Sequence, residues 1–360
     1  MKKIRKYYTW TTSIPLLACV LYLSGYLNDN LVFQAIAGVL LIFCVMSAVH
    51  HSEIIAHRVG EPYGTIILAV SITIIEVAII VSLMISGGEE YAPFARDTVY
   101  AAVMLILNGI VGLSLFIGGN KFHTQTFSPH SVRIALVALI SIVAFTMILP
   151  TFTKGQAGPF YTEAQLVFEF IACLAIYIAF ISAQTGKHRE YFLTETGDSP
   201  EEDHTDDVSR QSLWISIVFL LISLIIVVLL AKVLTIPIED LILYYGLPKS
   251  LVGIIIAAII LLPEGIAAVN AARSNKLQTS LNLALGSAIA SIGLTIPAVS
   301  LASYIYGFPL VLGLDIVPII LLVISIFTVL ISLIGGRSNS VYGVVLLVNL
   351  LAYIFLTINP

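Results

Sequence analysis

The chain has 360 residues, of which 59% are hydrophobic and only 11% are charged, and its mean hydropathy is +1.02. A soluble domain usually carries about 25% charged residues, so this composition excludes a soluble globular protein and predicts a polytopic protein of the lipid bilayer. The net charge of −4 gives no argument for a nucleic-acid partner, since eight of the 21 acids lie in one polar stretch.

Eleven apolar segments follow one another along the chain, and each is long enough to cross a membrane as an α-helix of about 20 residues. They lie near residues 8–26, 31–52, 63–86, 98–118, 132–150, 163–184, 211–233, 249–271, 280–304, 308–333 and 340–358. The first begins with basic residues like a signal peptide, yet it has no clear small-x-small cleavage site. We therefore predict an all-α membrane protein with eleven transmembrane helices.

The basic residues orient these helices. If the N-terminus is cytoplasmic, 13 of the 17 Lys and Arg residues fall in cytoplasmic segments and only four fall outside. Such an asymmetry is what the positive-inside rule expects of a correct helix count. We therefore expect a cytoplasmic N-terminus and a C-terminus on the outer side.

One long polar stretch divides the chain. It covers residues 186–210 and holds eight acids, namely Glu190, Glu195, Asp198, Glu201, Glu202, Asp203, Asp206 and Asp207. Its composition favours a solvated linker, with a cation sensor as the alternative. The predicted organisation is an N-terminal transmembrane helix at 1–30, a first five-helix repeat at 31–185, an acidic cytoplasmic linker at 186–210 and a second five-helix repeat at 211–360.

A short pattern supports the two repeats. Leu-Asn-x3-Gly-x6-Gly occurs at residues 107–119 and again at 281–293. Each copy follows the helix that carries an acid inside an apolar span. The third and eighth helices, which carry those acids, are five apart, so they cross the membrane in opposite directions. Inverted repeats of this kind are typical of secondary transporters, which bind their substrate near the bilayer midplane.

The two acids are Glu76 and Glu264, each deep in an apolar span. A charge left in hydrocarbon costs several kcal/mol, and the spans contain almost no basic residue to pair with. We therefore predict that Glu76 and Glu264 form one site that holds protons and a metal cation alternately. Desolvation favours protonated carboxyls when the site has no metal, so that cation and protons compete.

Further oxygen ligands are expected near both acids. Pro263 and Gly265 flank Glu264, which predicts a broken helix with freed carbonyl groups. Hydroxyl, amide and carboxylate oxygens suit hard cations such as Ca²⁺, Na⁺ or K⁺. The candidate ligands are Ser71, Thr73, Asn108, Ser114, Asn282, Ser287 and Ser291. The two asparagines have a second interpretation, in which they only join helices by hydrogen bonds.

Two other groups of polar residues carry open alternatives. His51, Glu53, His57 and Glu61 lie at the cytoplasmic end of the second helix, where they form either a hydrogen-bonded helix end or a proton path into the site. Glu169 lies about six residues into its helix and is either an interfacial acid or a functional one.

The stretch HSEIIAHRVGEPYG at residues 51–64, continuing to Glu76, resembles the signature of ChaA-type cation/proton antiporters, a bacterial branch of the Ca²⁺/cation antiporter superfamily. PEG at 263–265 and LNLALGS at 281–287 resemble its second repeat. The resemblance implies one extra helix plus five and five inverted helices, a prokaryotic inner-membrane location, the same two glutamates as the exchange site, Ca²⁺, Na⁺ or K⁺ moved against H⁺, and no cofactor. Neither the residues nor the resemblance specifies an oligomeric state.

One departure concerns the transported ion. Calcium/proton exchangers of the broader group show Gly-Asn in the motif G-N-x-x-E ahead of each acid, whereas this chain has Ile72-Thr73 and Ile260-Leu261 at those positions. The loss of two amide oxygens favours Na⁺ or K⁺ over a site selective for Ca²⁺.

Other classes fit less well. A zinc protease needs HExxH on one helix face, but this motif is absent and His51 and His57 are six residues apart. A membrane prenyltransferase needs aspartate-rich helix ends, whereas Asp206 and Asp207 stand in a loop. A cation channel remains as an alternative, and it predicts a pore lined by rings of carbonyls or charges rather than two isolated acids.

Overall fold

The computed structural model describes residues 10–27, 30–59, 63–156, 158–186, 188–192 and 213–359, with only the backbone for 63–68. In this part of the chain the protein forms eleven α-helices and two short 3-10 helices, Gly88–Tyr91 and Arg189–Phe192. The α-helices are α1 Trp10–Leu23, α2 Leu31–Val59, α3 Tyr63–Gly87, α4 Phe94–Phe122, α5 Pro129–Phe152, α6 Glu163–Thr185, α7 Leu213–Tyr244, α8 Ser250–Arg273, α9 Leu277–Tyr306, α10 Ile316–Leu333 and α11 Ser340–Ile358.

The helical prediction is confirmed. Among the described residues, the ten helices from α2 to α11 are long and apolar enough to cross a membrane, while the described part of α1 has 14 residues. Each predicted span overlaps one of these helices. The absence of strands within the described ranges agrees with the predicted all-α fold.

The start of the tenth predicted span was wrong, because residues 308–315 are not helical. Gly307 ends α9 in the left-handed conformation, with φ of 72°, which a glycine adopts without steric cost. The backbone N–H groups of the next residues then bond to other parts of the chain: Gly313 N donates to Pro159 O, in the loop before α6, at 3.1 Å, and Leu314 N donates to Met147 O, in α5, at 2.9 Å. These bonds satisfy the backbone outside a helix, and α10 begins only after Asp315.

Two helices contain a wider turn. Leu105–Ile110 in α4 and Ala144–Ile148 in α5 form π-helical segments. Such segments are rare and frequently occur at functional sites. By contrast, α8 continues without interruption through Pro263, so the predicted helix break beside Glu264 is absent.

The described residues fall into two compact units that do not follow chain order. The first lies within Met1–Leu83 and Glu201–Pro263, and the second within Met84–Pro200 and Glu264–Pro360. In the first unit, α2 packs along α7, and α1 packs against both. In the second unit, α9 packs against α4, α5 and α6, and α11 packs against α4. Each unit therefore takes helices from both halves of the sequence.

Glycines allow α4 and α11 to approach closely. A Cβ added to Gly343 would lie 2.6 Å from Gly112 O, and one added to Gly119 would lie 2.6 Å from Ser340 N. Small residues commonly permit such backbone contact between membrane helices. This interface supports the part of α4 that contains the first π-helical segment.

Candidate functional site

Glu76 lies in the first unit near the middle of α3, thirteen residues after Tyr63. Its side chain is only 4% exposed, and Ser71 and Thr73 are each 7% exposed. The Thr73 hydroxyl donates to Ala69 O at 2.9 Å, which uses its proton within the helix and leaves oxygen lone pairs. The predicted ligand residues near Glu76 are therefore buried on the same helix, and each carries an oxygen atom that could coordinate a cation.

Glu264 lies at a matching depth in α8, fourteen residues after Ser250, and belongs to the second unit. It is half-buried. A Cβ added to the next residue, Gly265, would lie 3.4 Å from Ile110 Cδ1. Because Ile110 ends the π-helical segment of α4, the part of α8 that carries Glu264 packs against that segment.

Asn108 lies within the same π-helical segment and is fully buried. Its Nδ2 donates to Ser325 Oγ at 2.9 Å and to Met104 O at 3.3 Å. Its Oδ1 is buried and has no hydrogen-bond partner among the described residues. Buried polar atoms are nearly always satisfied, so this carbonyl oxygen requires an explanation, and a bound cation would supply one. No feature of the amino-acid sequence indicates the π-helical segment that holds it.

Two other predicted ligands are engaged in packing. Ser280 Oγ donates to Ser114 Oγ at 2.9 Å, which joins α9 to α4. Asn282 Nδ2 donates to Phe192 O at 2.7 Å, and Asn282 Oδ1 accepts from Gln278 Nε2 at 2.8 Å. Both ends of the Asn282 amide therefore make hydrogen bonds, one within α9 and one to the 3-10 helix Arg189–Phe192.

The repeated Leu-Asn-x3-Gly-x6-Gly pattern does not mark equivalent depths. Asn108 lies fourteen residues after the start of α4, whereas Asn282 lies five residues after the start of α9. The residue fourteen positions into α9 is Ser291, which is 6% exposed. Ser287 lies one turn earlier and is half-buried. By depth, Ser291 is thus the counterpart of Asn108.

The polar group at the end of α2 is split between two environments. His51 is fully buried, with Nε2 3.4 Å from Thr11 O and its ring stacked on Phe219 at 5.7 Å. Glu53 and His57 are exposed, and Glu61 lies outside the described residues. His51 therefore takes part in the packing of α1, α2 and α7 and is not gathered with Glu53 and His57.

Within the described ranges, no three His, Cys, Asp or Glu residues come together as a metal-binding group. The buried oxygen atoms belong to carboxyl, hydroxyl and amide groups, which are ligands of hard cations.

Comparison with known proteins gives the family. The profile of the sodium/calcium exchanger protein family matches residues 30–186 and 215–359. The chain is 40% identical to a putative ionic transporter y4hA of Sinorhizobium fredii over 98% of this chain and 96% of that protein. It is 35% identical to the sodium-potassium/proton antiporter ChaA of Escherichia coli, over 94% and 93% of the two chains.

A solved structure shares the fold. The crystal structure of the selenium-substituted Ca²⁺/H⁺ antiporter protein YfkE superimposes with a TM-score of 0.72 over 97% of this chain and 99% of that one. The two sequences are 19% identical, so this likeness concerns the fold alone.

Proposed function

Since the chain belongs to the sodium/calcium exchanger protein family, we propose that it exchanges cytoplasmic Ca²⁺, Na⁺ or K⁺ for protons by alternating access, with Glu76 and Glu264 holding cation and proton in turn. The protein is an integral membrane cation/proton antiporter, not an enzyme. Its inner-membrane location and the orientation of its termini are part of the proposal.

The observation that carries this proposal is the matched depth of the two acids. Glu76 lies thirteen residues into the second long helix of its half of the chain, and Glu264 lies fourteen residues into the second helix of the other half. In the part of the chain that the structure describes, five long helices precede the polar linker and five follow it. This symmetry supports the assignment of residues 31–185 and 211–360 as inverted repeats joined by a linker at 186–210.

The proposed cation ligands lie at similar distances along their helices. On α3, the ligands are Glu76 and the hydroxyl groups of Ser71 and Thr73. Glu264 is joined by the unpartnered Asn108 oxygen and by Ser287 and Ser291 from α9. Ser114 and Asn282 are excluded from the set we propose, because their side chains already bond to other helices or to Phe192.

Charge balance at the two glutamates couples cation movement to proton movement. Without a cation, desolvation favours protonated carboxyls in a membrane interior. A divalent cation neutralises two carboxylates and displaces both protons, whereas a monovalent ion displaces one. A site loaded with either a cation or protons carries no unbalanced charge, so both loaded states can reorient and the empty, ionised state cannot.

The absence of an asparagine three residues before each glutamate affects which cation the site selects. The G-N-x-x-E positions hold Ile72-Thr73 and Ile260-Leu261, and the relative of 35% identity is named a sodium-potassium/proton antiporter. We therefore expect Na⁺ and K⁺ to be transported as well as Ca²⁺. Purified protein in proteoliposomes, driven by a pH gradient and supplied with each ion separately, tests this expectation. Uptake of Ca²⁺ alone would contradict it.

The same assay tests the mechanism. Glu76→Gln and Glu264→Gln should each abolish proton-coupled exchange, because Gln keeps the shape of Glu but neither ionises nor carries a proton. Both variants should still insert and fold, since a neutral side chain is easier to accommodate in the membrane. Ser82→Ala, on another face of α3, is the control and should keep activity.

Near-parental exchange by either inserted Gln variant would disprove the shared-carboxylate mechanism. Cation flux that is independent of proton movement would instead favour the channel alternative.

A further inference from the structure

A third carboxyl group within the apolar spans, that of Glu169, has no role in the mechanism above. Glu169 lies on α6, six residues after Glu163, and is 1% exposed. It belongs to the second unit, as do its neighbours on α9. A fully buried carboxyl in an apolar span is costly and therefore points to a function.

The surroundings of Glu169 leave two polar atoms unsatisfied. Its Oε1 accepts a hydrogen bond from Cys173 Sγ at 3.3 Å, one turn along the same helix. Ser300, on α9, faces the same carboxyl group. Within the described residues, Glu169 Oε2 and Ser300 Oγ are both buried without a hydrogen-bond partner.

The other groups that face Glu169 do not compete for this role. Tyr161, in the loop before α6, donates its hydroxyl to Phe145 O at 2.7 Å. Burial, followed by the charges of Glu169 and Cys173, raises the pKa of Tyr161 to about 12, so Tyr161 stays neutral at physiological pH. The α5 helix contributes the Phe145 ring, which packs on Phe168, and α9 contributes Ser300. Among these groups, Glu169 is therefore the acid that titrates.

A proton removes the buried charge of Glu169. An ionised Glu169 would be a buried carboxylate whose named neighbours, Cys173, Ser300 and Tyr161, carry no positive charge. The Ser300 hydroxyl can donate to that carboxylate or accept from the protonated carboxyl, so its hydrogen bond fits both forms. The cost of a buried charge without a cationic partner therefore favours the protonated form.

The position of Glu169 along the bundle indicates the side of the membrane from which its proton would come. Ser300 lies nine residues after Ser291, which is about 13 Å along α9, towards the helix end that the predicted orientation places outside. Glu169 is also near the outer end of α6. It therefore lies between the outer surface and the depth of the proposed cation ligands.

We propose that Glu169 is a second proton-binding site, which takes up protons from the outer side and supplies them to the exchange site. This inference rests on the proposed function, because it assumes inward proton movement. The proton binds at Oε2 and is held by Ser300 Oγ. It is released inward when the carboxyls of the exchange site lose their cation and accept protons.

Right-side-out membrane vesicles loaded with radiolabelled Na⁺ or Ca²⁺ test the proposal through the dependence of efflux on external pH. Glu169→Gln should shift the pH of half-maximal efflux by about one unit, a tenfold change in proton concentration, with the apparent cation affinity roughly unchanged. Glu163→Gln is the matched control, because Glu163 is an exposed acid on the same helix. It should behave like the parent.

Infrared difference spectroscopy gives a readout that a structural role would not change. On a change of pH, the parent should show a protonated-carboxyl band that is missing in Glu169→Gln and displaced in Ser300→Ala, which keeps the acid but removes its partner. An unchanged pH profile together with an unchanged spectrum in both variants would overturn the proposal. If the parent itself exchanges no cation for protons, the proposed function fails instead.

Discussion

The amide oxygen of Asn108 is the ligand candidate that the structure singles out, because it is buried and unpartnered while its amide nitrogen is bonded to Ser325 and Met104. We predict that Asn108→Ala raises the cation KM about tenfold, which corresponds to about 1.4 kcal/mol. The proton dependence of transport should change little, since no acid is altered. Initial rates of pH-driven uptake over a range of cation concentrations measure this effect.

Asn282→Ala is the matched control for Asn108→Ala, because it removes the same chemical group from the other copy of the sequence pattern. Its amide bonds to Phe192 O and Gln278, so the variant should keep the parental KM. It should lose about 0.6 kcal/mol of stability, the average for a side-chain hydrogen bond between membrane helices, through the lost bond to Phe192 O. A lower melting temperature in detergent would reveal this loss. An increased KM in Asn282→Ala but not in Asn108→Ala would reverse our assignment of the two residues.

Residue roles were predicted from the sequence only where the energetic reason is local. The burial of Glu76 was expected because a carboxyl in an apolar span needs no knowledge of its neighbours to be recognised. The different surroundings of Asn108 and Asn282 depend on their positions along the helices and on partners distant in sequence, which spacing along the chain does not encode.

At the scale of helices, the contact between α4 and α11 depends on Gly343. A Cβ there would lie 2.6 Å from Gly112 O, within the backbone of the facing helix, so neither group can move aside cheaply. We predict that Gly343→Ala lowers the melting temperature and the yield of folded protein. Transport should fall with it, because α4 carries Asn108.

Gly286→Ala is the control for this prediction. Gly286 lies inside α9, and nothing is within 4 Å of an added Cβ. Alanine favours a helix over glycine by up to about 1 kcal/mol, so this variant should be as stable as the parent or more stable. Equal losses in Gly343→Ala and Gly286→Ala, measured by thermal unfolding, would contradict the packing we describe.

Helix positions followed from hydropathy because an apolar span of membrane length can satisfy its backbone only as a helix. The exceptions have causes that hydropathy does not report. Residues 308–314 are mostly apolar, but their backbone bonds to a loop and to α5. The π-helical segment Leu105–Ile110 changes the hydrogen-bond register within an unbroken apolar span. Pro263 favours a helix break by itself, yet α8 continues through it.

At the scale of the molecule, the two halves of the sequence and the two compact units are different divisions. The first unit combines α1 and α2 with α7, and the second combines α4, α5 and α6 with α9, α10 and α11. A linker rich in acids indicates where the chain is divided in sequence. It does not indicate which helices pack together, because packing depends on the shapes of helix faces, such as the glycines of α4 and α11.

Whether the two termini lie on opposite sides of the membrane depends on α1. Ten long helices alone would leave both termini on the same side of the membrane, and the described part of α1 has 14 residues, which span about 21 Å against a hydrocarbon core of about 30 Å. We predict that α1 crosses the membrane together with residues that flank it. With α1 across the membrane, the 13-to-4 distribution of basic residues predicts an N-terminus inside and a C-terminus outside.

Paired reporters test this orientation. An alkaline phosphatase fusion after Pro360 should be active and a green fluorescent protein fusion there should be dark, whereas fusions before Met1 should give the opposite results. A matched variant that lacks residues 1–27 keeps the ten long helices and should retain the outer C-terminus, because the basic residues near α2 to α11 still favour that orientation. Both termini of the full chain on one side would show that α1 does not cross, and the eleven-helix topology would then be wrong.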